Sequence, residues 1–264
     1  MRPRSRPLIT LTTDFGMGDP YAAAMKGIIY GIAPDVEIAD LSHDIPPHDI
    51  LEGALFLAGA LPYFPAGTIH AVVVDPGVGM ARHPIALWAG NQTIVCPDNG
   101  LPTLFTREHP IEEVRLISNS RFMCETVSPT FHGRDVFAPA AARLASGAPF
   151  HELGEELDTI VTLDIPHPQQ TTQGGVEGEV IHVDRFGNLV TNIHRSLVSG
   201  AFGGTVSAGD RCRLSGIHRT YGEVPPGEPL ALFGSCGYLE IAMNAGNAAV
   251  ALGLDKGAPV ELKP

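Results

Sequence analysis

GTIHAVVVDPGVGMARHPIALWAG, residues 67–90, decides the architecture. Its first half runs AVVV straight into Asp75 without alternation, the pattern of a strand covered on both faces, as in a parallel sheet. Its second half does not open a helix. Arg82, His83 and Pro84 follow the glycines, and the strand-like IALWAG comes next.

Upstream, the same rhythm repeats. LITLTTD (8–14) reads as a buried strand, DPYAAAMKGIIYGI (19–32) as a helix capped by Asp19 with Pro20 in its first turn, and VEIADLS (36–42) as a strand. DILEGALFLAGAL (49–61) begins with Asp49 followed by Glu52, a spacing that predicts a capping box serving the amides of both residues. Downstream, PIALWAG and QTIVCP predict a hairpin around Asn91, DNGLPTLFTRE a short helix, VRLIS a strand, and RDVFAPAAARLASG a helix ending at Gly147.

DIPHPQQTTQGG (164–175) is polar, broken by Pro and Gly, and without periodicity, so it predicts a domain boundary. Beyond it, EGEVIHVDRFGNLVTNIH, DRCRLS, LALFGSCGYLEIAMN, AVALGL and APVELKP read as short strands of a β-barrel or sandwich. The fold class is therefore α/β. An N-terminal α/β domain with a largely parallel sheet spans residues 1–165, and a smaller C-terminal β-barrel-like domain spans 174–264.

With 264 residues, 44% hydrophobic and 17% charged, the chain can bury a core in each domain. A net charge of −12 argues against a nucleic-acid partner, which needs clustered Lys and Arg. The start, MRPRSRP, is basic, but the LITLTT after it is too short and polar for a signal-peptide core. No apolar run approaches the roughly 20 residues that span a bilayer. Cys96, Cys124, Cys212 and Cys236 lack metal or disulfide spacing and read as reduced, buried small hydrophobes. The expectation is an unanchored cytoplasmic protein with no membrane partner and a small-molecule substrate.

Two chemical readings compete at the glycine turn. DPGVGMA resembles the acidic-x-Gly-x-Gly turn of S-adenosylmethionine-dependent methyltransferases, yet it follows the third predicted strand instead of the first, and the helix that should succeed it is missing. The third glycine of a dinucleotide fingerprint is also absent. A hydrolytic metal site could draw on Asp14, His43, Asp44, Asp49 and His132, but none has helical ligand spacing, and caps or turns explain several of them.

Seven motifs in order carry a wider resemblance: TTDFG (12–16), SHDIPPHDILEGA (42–54), VVDPGVG (73–79), PDNG (97–100), PTFHGRDVFAPAAA (129–142), DRFGNLVTNI (184–193) and GSCGYLEIAMNAG (234–246). Together they resemble the S-adenosyl-L-methionine hydroxide adenosyltransferases, relatives of the fluorinating and chlorinating adenosyl-halide synthases, along essentially the whole chain.

The resemblance implies a homotrimer with each site formed between neighbouring subunits, and hydrolysis of S-adenosyl-L-methionine to adenosine and methionine with no metal and no cofactor. It places Asp75, Arg82 and His132 on the family's catalytic triad, Asp14 at the ribose hydroxyls, and Asn188 at the adenine edge. Phe186 would pack on the adenine, with backbone near Met243 and Ala245 beside it. Asp184, Ser235 and Glu240 are candidates for the methionine end, where Cys236 replaces an Arg of some relatives. The halide-using relatives carry Tyr at the position of Asp75 and Ser at that of Gly133, so hydroxide is the expected nucleophile.

Plainer roles fit the same residues: a turn for Asp14, hairpin chemistry for Asn188, core packing for Phe186, and a structural ion pair for Asp75 with Arg82. A methyltransferase would instead release S-adenosylhomocysteine, and a non-catalytic sensor would bind without products. An unperturbed Asp cannot take a proton from water outright, which leaves two routes. Asp75 accepts the proton late, or Arg82 and His132 stabilise hydroxide while Asp75 orients it.

Overall fold

The computed structural model describes residues 6–198 and 203–264; the first five residues of MRPRSRP lie outside them. The chain forms two compact units, residues 1–163 and 164–264.

In the first unit the elements are β1 (Leu8–Thr13), α1 (Tyr21–Ile32), β2 (Glu37–Ser42), α2 (Ile50–Ala60), β3 (Ile69–Val73), β4 (Pro84–Ala89), β5 (Gln92–Pro97), α3 (Thr103–Glu108), β6 (Ile111–Leu116) and α4 (Ala138–Ala145). They build one sheet in the order β2-β1-β3-β5-β4-β6. Neighbours β2, β1, β3 and β5 pair in parallel, and β4 alone runs against its neighbours. The apolar run of β3 is continuous because both faces are covered: Ala71 and Val73 pack in the cluster that holds Met25 and Ile29 of α1 and Ala140 of α4, while Val72 and Val74 pack with Leu57 of α2 and Phe105 of α3. Gly90 and Asn91, both at positive φ (58° and 60°), make the two-residue turn between β4 and β5, as a right-twisted hairpin requires.

His70 interrupts that apolar strand, fully buried. Gln92 donates its amide hydrogens to the carbonyls of Leu61 and Phe64 (3.0 and 2.8 Å), so its Oε1 can only accept from His70 Nε2, at 3.2 Å. His70 Nδ1 then accepts from the Thr10 hydroxyl at 2.7 Å. The ring is thus neutral in one tautomer and satisfied at both nitrogens.

The second unit comprises β7 (Gln169–Gln170), β8 (Val176–Val183), β9 (Leu189–His194), β10 (Thr205–Ala208), β11 (Cys212–Ser215), β12 (Pro229–Phe233), β13 (Tyr238–Met243), α5 (Ala248–Leu252) and β14 (Pro259–Lys263). Its antiparallel sheet follows β11-β10-β14-β8-β9-β13-β12, with β7 added beside β8. A bridge from His218, just past β11, to Leu232 of β12 nearly closes the path into a barrel. Leu189, Ile193, Leu239, Ile241 and Val260 fill its interior.

Three local expectations are corrected. AVALGL is not a strand: its first four residues lie in α5, started by the Asn247 side chain accepting from the Val250 amide at 2.8 Å and stopped by Gly253 at φ +62°. The 164–175 segment carries β7 and a turn in which Thr171 Oγ1 accepts from the Gly175 amide. Asp19 does not cap α1, because Pro20 occupies the cap position and its carbonyl accepts from Ala24. At α2 the Asp49 carboxylate does accept from Glu52, at 3.0 Å, but Asp49's own amide donates to the Pro46 carbonyl.

The cysteines also divide. Cys96 and Cys212 are buried, Cys124 partly so, and Cys236 is exposed, because the short β12–β13 turn projects it outward. All four are free thiols. Among the described residues no helix is long and apolar enough to cross a membrane.

Burial holds the His70 pKa down at about 4 against an ordinary 6.5. The unfolded chain therefore takes up this proton first as pH falls. The stability due to neutral His70 is complete above about pH 6.5 and is lost as pH drops toward 4, a change of about 3 kcal/mol. Denaturant unfolding at pH 7 and pH 4 should show this loss in the parent and a correspondingly flatter dependence in His70→Gln. Equal pH dependence in the two proteins would contradict it.

Candidate functional site

In an open parallel sheet, ligands collect outside the carboxyl ends of strands where successive connections leave in opposite directions. Here that point lies between β1, whose connection leads to β2 on one side, and β3, whose connection leads to β4 and β5 on the other. Thr13 pairs with Val73 in register, so Asp14 and Asp75 emerge at the ends of adjacent strands. Both line one open cavity of about 540 Å³.

Arg82 reaches back over the glycine turn to Asp75. Its Nε donates to both carboxylate oxygens at 3.0 Å, and Nη2 donates to Oδ2 in a short contact. The pair is almost wholly buried, with side chains 5% exposed for Asp75 and 9% for Arg82. The guanidinium also rests on the Phe137 ring, 5.3 Å from its centre. Nη2 continues to His132 Nδ1 at 2.7 Å. Because a guanidinium only donates, Nδ1 must accept, and the ring proton of neutral His132 sits on Nε2. Burial first, and then the Arg82 charge, hold the His132 pKa below its ordinary 6.5, against the opposing pull of Asp75 and Asp135.

Three local features create this contact. Asn99 of PDNG donates to the Val74 carbonyl at 2.9 Å and pins the strand end before Asp75. Gly79, at φ +74°, lets the turn pass so close to the 129–132 loop that a Cβ there would lie 2.1 Å from the Pro129 carbonyl oxygen. His132 directly precedes a π-helical turn, Gly133–Phe137, that widens the entry to α4.

Asp14 Oδ2 accepts from the His48 amide at 2.9 Å, which leaves Oδ1 toward the cavity's chemistry. Two other named metal candidates are already employed: His43 contacts Thr13 (2.8 Å) and Asp40 (3.1 Å), and Asp49 caps α2. No group of three or more His, Cys, Asp or Glu placed to hold a metal occurs among the described residues.

Sequence reading assigned no role to a trio of aromatic rings on the same cavity, Phe15, Tyr21 and Phe131. Their centroids lie 5.1–5.8 Å apart in edge and tilted contacts. Phe15 and Phe131 stood inside recognised motifs, but Tyr21 read only as part of a helix.

The second unit gathers most of the remaining candidates at the β8–β9 turn. Asp184 Oδ1 accepts from the amides of Phe186 (2.9 Å) and Asn188 (2.8 Å), and its Oδ2 accepts from the Asn188 side chain (2.9 Å). Phe186 is 76% exposed, so it is not core. Gly187 packs against Asn247, where a Cβ would meet the amide at 2.1 Å, and this draws the turn to the stretch holding Met243 and Ala245. Ala245 itself adopts φ +53°. Glu240 accepts from the Tyr221 hydroxyl at 3.0 Å. Burial raises the Glu240 pKa, with the Asp184 charge adding to it and Tyr221 opposing, while burial and Glu240 push Tyr221 up to about 12. Ser235 lies in the β12–β13 turn, outside this bonded group.

Comparison with known proteins follows the same division. The family model for the SAM hydroxide adenosyltransferase N-terminal domain matches residues 9–154, and that for its C-terminal domain matches 178–261. An (R)-S-adenosyl-L-methionine hydrolase of Thermus thermophilus is 45% identical over 97% of this chain and 99% of its own. A fluorinase of an Actinoplanes species is 31% identical over 98% of each. The crystal structure of an uncharacterized conserved protein from Thermotoga maritima superposes with a TM-score of 0.89 at 35% identity, covering 97% of this chain and 100% of that one.

Nitrogen-15 NMR should find His132 neutral and Nε2-protonated at pH 7, titrating below 6.5. Arg82→Met removes a repelling charge and leaves Asp75, so the titration should move upward. An unmoved titration would show that Arg82 does not set the ring's state.

Proposed function

Because the chain belongs to the SAM hydroxide adenosyltransferase family, we infer that it is an enzyme that hydrolyses S-adenosyl-L-methionine to adenosine and L-methionine. We further propose that solvent-derived hydroxide attacks the ribose C5′ in the first-unit cavity, served by Asp75, Arg82 and His132. The observation carrying this is their continuous hydrogen-bonded chain beside Asp14.

The C5′–O bond forms as the C5′–S bond breaks, its electron pair passing to sulfur to leave the neutral thioether of methionine. Opposite charges vanish in this step, so a cavity that excludes bulk water favours it. An ordinary Asp carboxylate is a poor base for water, about 12 pKa units or roughly 16 kcal/mol short of deprotonating it. His132 Nδ1 is occupied by Arg82, so it cannot accept a proton there. The arrangement favours the second route: His132 Nε2–H and the Arg82 charge stabilise hydroxide, and Asp75 holds Arg82 and orients the nucleophile.

The same proposal assigns substrate contacts. Asp14 has a free oxygen for the ribose hydroxyls, and Asn188 retains its carbonyl and one N–H for the adenine edge. The exposed Phe186 ring suits adenine stacking, with Met243 and Ala245 beside it. Asp184, Ser235 and Glu240 are assigned to methionine. A homotrimer with shared sites, independence of metals and cofactors, and a cytoplasmic setting suited to four free thiols complete the reading. The relatives' names specify the (R) sulfonium epimer, and we propose the same preference here.

Asp75→Asn and His132→Ala should each lower kcat by at least about a hundredfold with KM little changed, as loss of transition-state interactions does. Near-parent turnover in both would remove them from catalysis. In ¹⁸O-water the label should enter the adenosine 5′-hydroxyl; unlabelled adenosine would exclude solvent attack. A chelator should leave the rate unchanged, the (R) epimer should react faster than the (S), and sedimentation should give three times the chain mass. A contrary result removes that part of the reading.

A further inference from the structure

We propose that Tyr21 is a specificity-determining residue that recognises the sulfonium charge of the substrate through its aromatic ring. This rests on the activity inferred above and names a contact that the activity does not by itself require.

In-line attack places the attacking oxygen and the sulfur on opposite sides of C5′. With the oxygen beside Asp75 and His132, the sulfur must face other groups lining the cavity. Among these, the trio Phe15, Tyr21 and Phe131 offers the π surface that attracts a cation. The three rings are not equivalent. Phe131 already carries the Arg134 guanidinium 5.1 Å from its centre, and that cation is held in place by Asp135 at 2.7 and 2.9 Å. Phe15 and Phe131 both press on Gly133, where a Cβ would meet each at 3.3 Å, so they are packed against the start of the π-turn. Tyr21 is 45% exposed and stands at the first position of α1, fixed by a tilted contact with Phe15 and an edge contact with Phe131.

The contact discriminates substrate from product. Before the reaction the sulfur bears a full positive charge, which a cation–π contact stabilises. Afterwards it is a neutral thioether and the attraction is gone, which favours release of methionine. The same difference should reject thioether nucleosides as ligands.

Calorimetry in a His132→Ala background, which is to hold the substrate unreacted, gives the affinity ratio of S-adenosyl-L-methionine to the neutral thioether S-adenosylhomocysteine. Tyr21→Leu should lower that ratio about 5- to 30-fold, while Tyr21→Phe and Tyr21→Trp should keep it within about twofold of the parent. Stepwise ring fluorination in the Tyr21→Phe background drains the π face with no phenol to ionise, so the ratio should fall in steps even where the Leu variant folds poorly. Equal loss of affinity for both ligands, or a ratio indifferent to fluorination, would reduce Tyr21 to an apolar wall and overturn the assignment. Hydrolysis by the parent alongside an indifferent ratio defeats only this inference, whereas absence of hydrolysis defeats the activity on which it rests.

Discussion

A buried guanidinium cannot shed its charge, so every atom against it must accept a hydrogen bond or offer a π face. Arg82 imposes that condition on its surroundings. It requires an ionised Asp75, a neutral His132 with an unprotonated Nδ1, and a ring such as Phe137 beneath it. Losing one partner of such a buried pair leaves a charge uncompensated, typically at a cost of about 3–5 kcal/mol. The tautomer of His132 is thus fixed by one residue that need not itself touch the substrate, and burial acts with that residue's charge to keep the ring neutral.

Meeting that condition takes long-range packing. The turn after β3 and the loop before α4 are some 50 residues apart in sequence, the separation of Arg82 from His132. They meet because Gly79 has no side chain to strike Pro129 and because Asp135, 2% exposed, receives the Ser128 amide at 2.9 Å and steadies the loop from below. The π-turn after His132 then carries the chain into α4, whose alanines pack under α1. The apolar core beneath the sheet and the polar chain above it share the same few residues.

The parallel sheet was legible because β1 and β3 are buried along their whole length and read as largely apolar runs, with only the threonines of β1 and His70 of β3 interrupting them. Short runs carry less information. AVALGL suits a strand and a helix equally by hydrophobicity, and only the Asn247 cap, itself packed on Gly187, decides for α5. The two glutamines of β7 pair with β8 just across the Thr171–Gly175 turn, and the four residues of β10 pair with the distant β14, neither announced by an apolar pattern. At the candidate site, residue types and order pointed to Asp75, Arg82 and His132 singly. The Nη2–Nδ1 contact and the tautomer it forces depend on folding. Tyr21 was invisible because its setting is made by Phe131, far along the chain.

The structure also changes the reason for preferring hydroxide to halide. The replacement of Tyr by Asp75 puts a negative charge there that would repel a halide, yet it would repel hydroxide as well. Paired with Arg82, its charge is largely neutralised, so charge does not separate the two nucleophiles. Hydrogen bonding does. Water or hydroxide carries an O–H that can donate to a carboxylate lone pair while its oxygen receives the His132 Nε2–H. A halide has no hydrogen to donate and would leave the lone pair of the largely buried Asp75 that faces it without a hydrogen bond. In the proposed reaction, the carboxylate selects its nucleophile by being an acceptor, and the guanidinium beside it keeps it one.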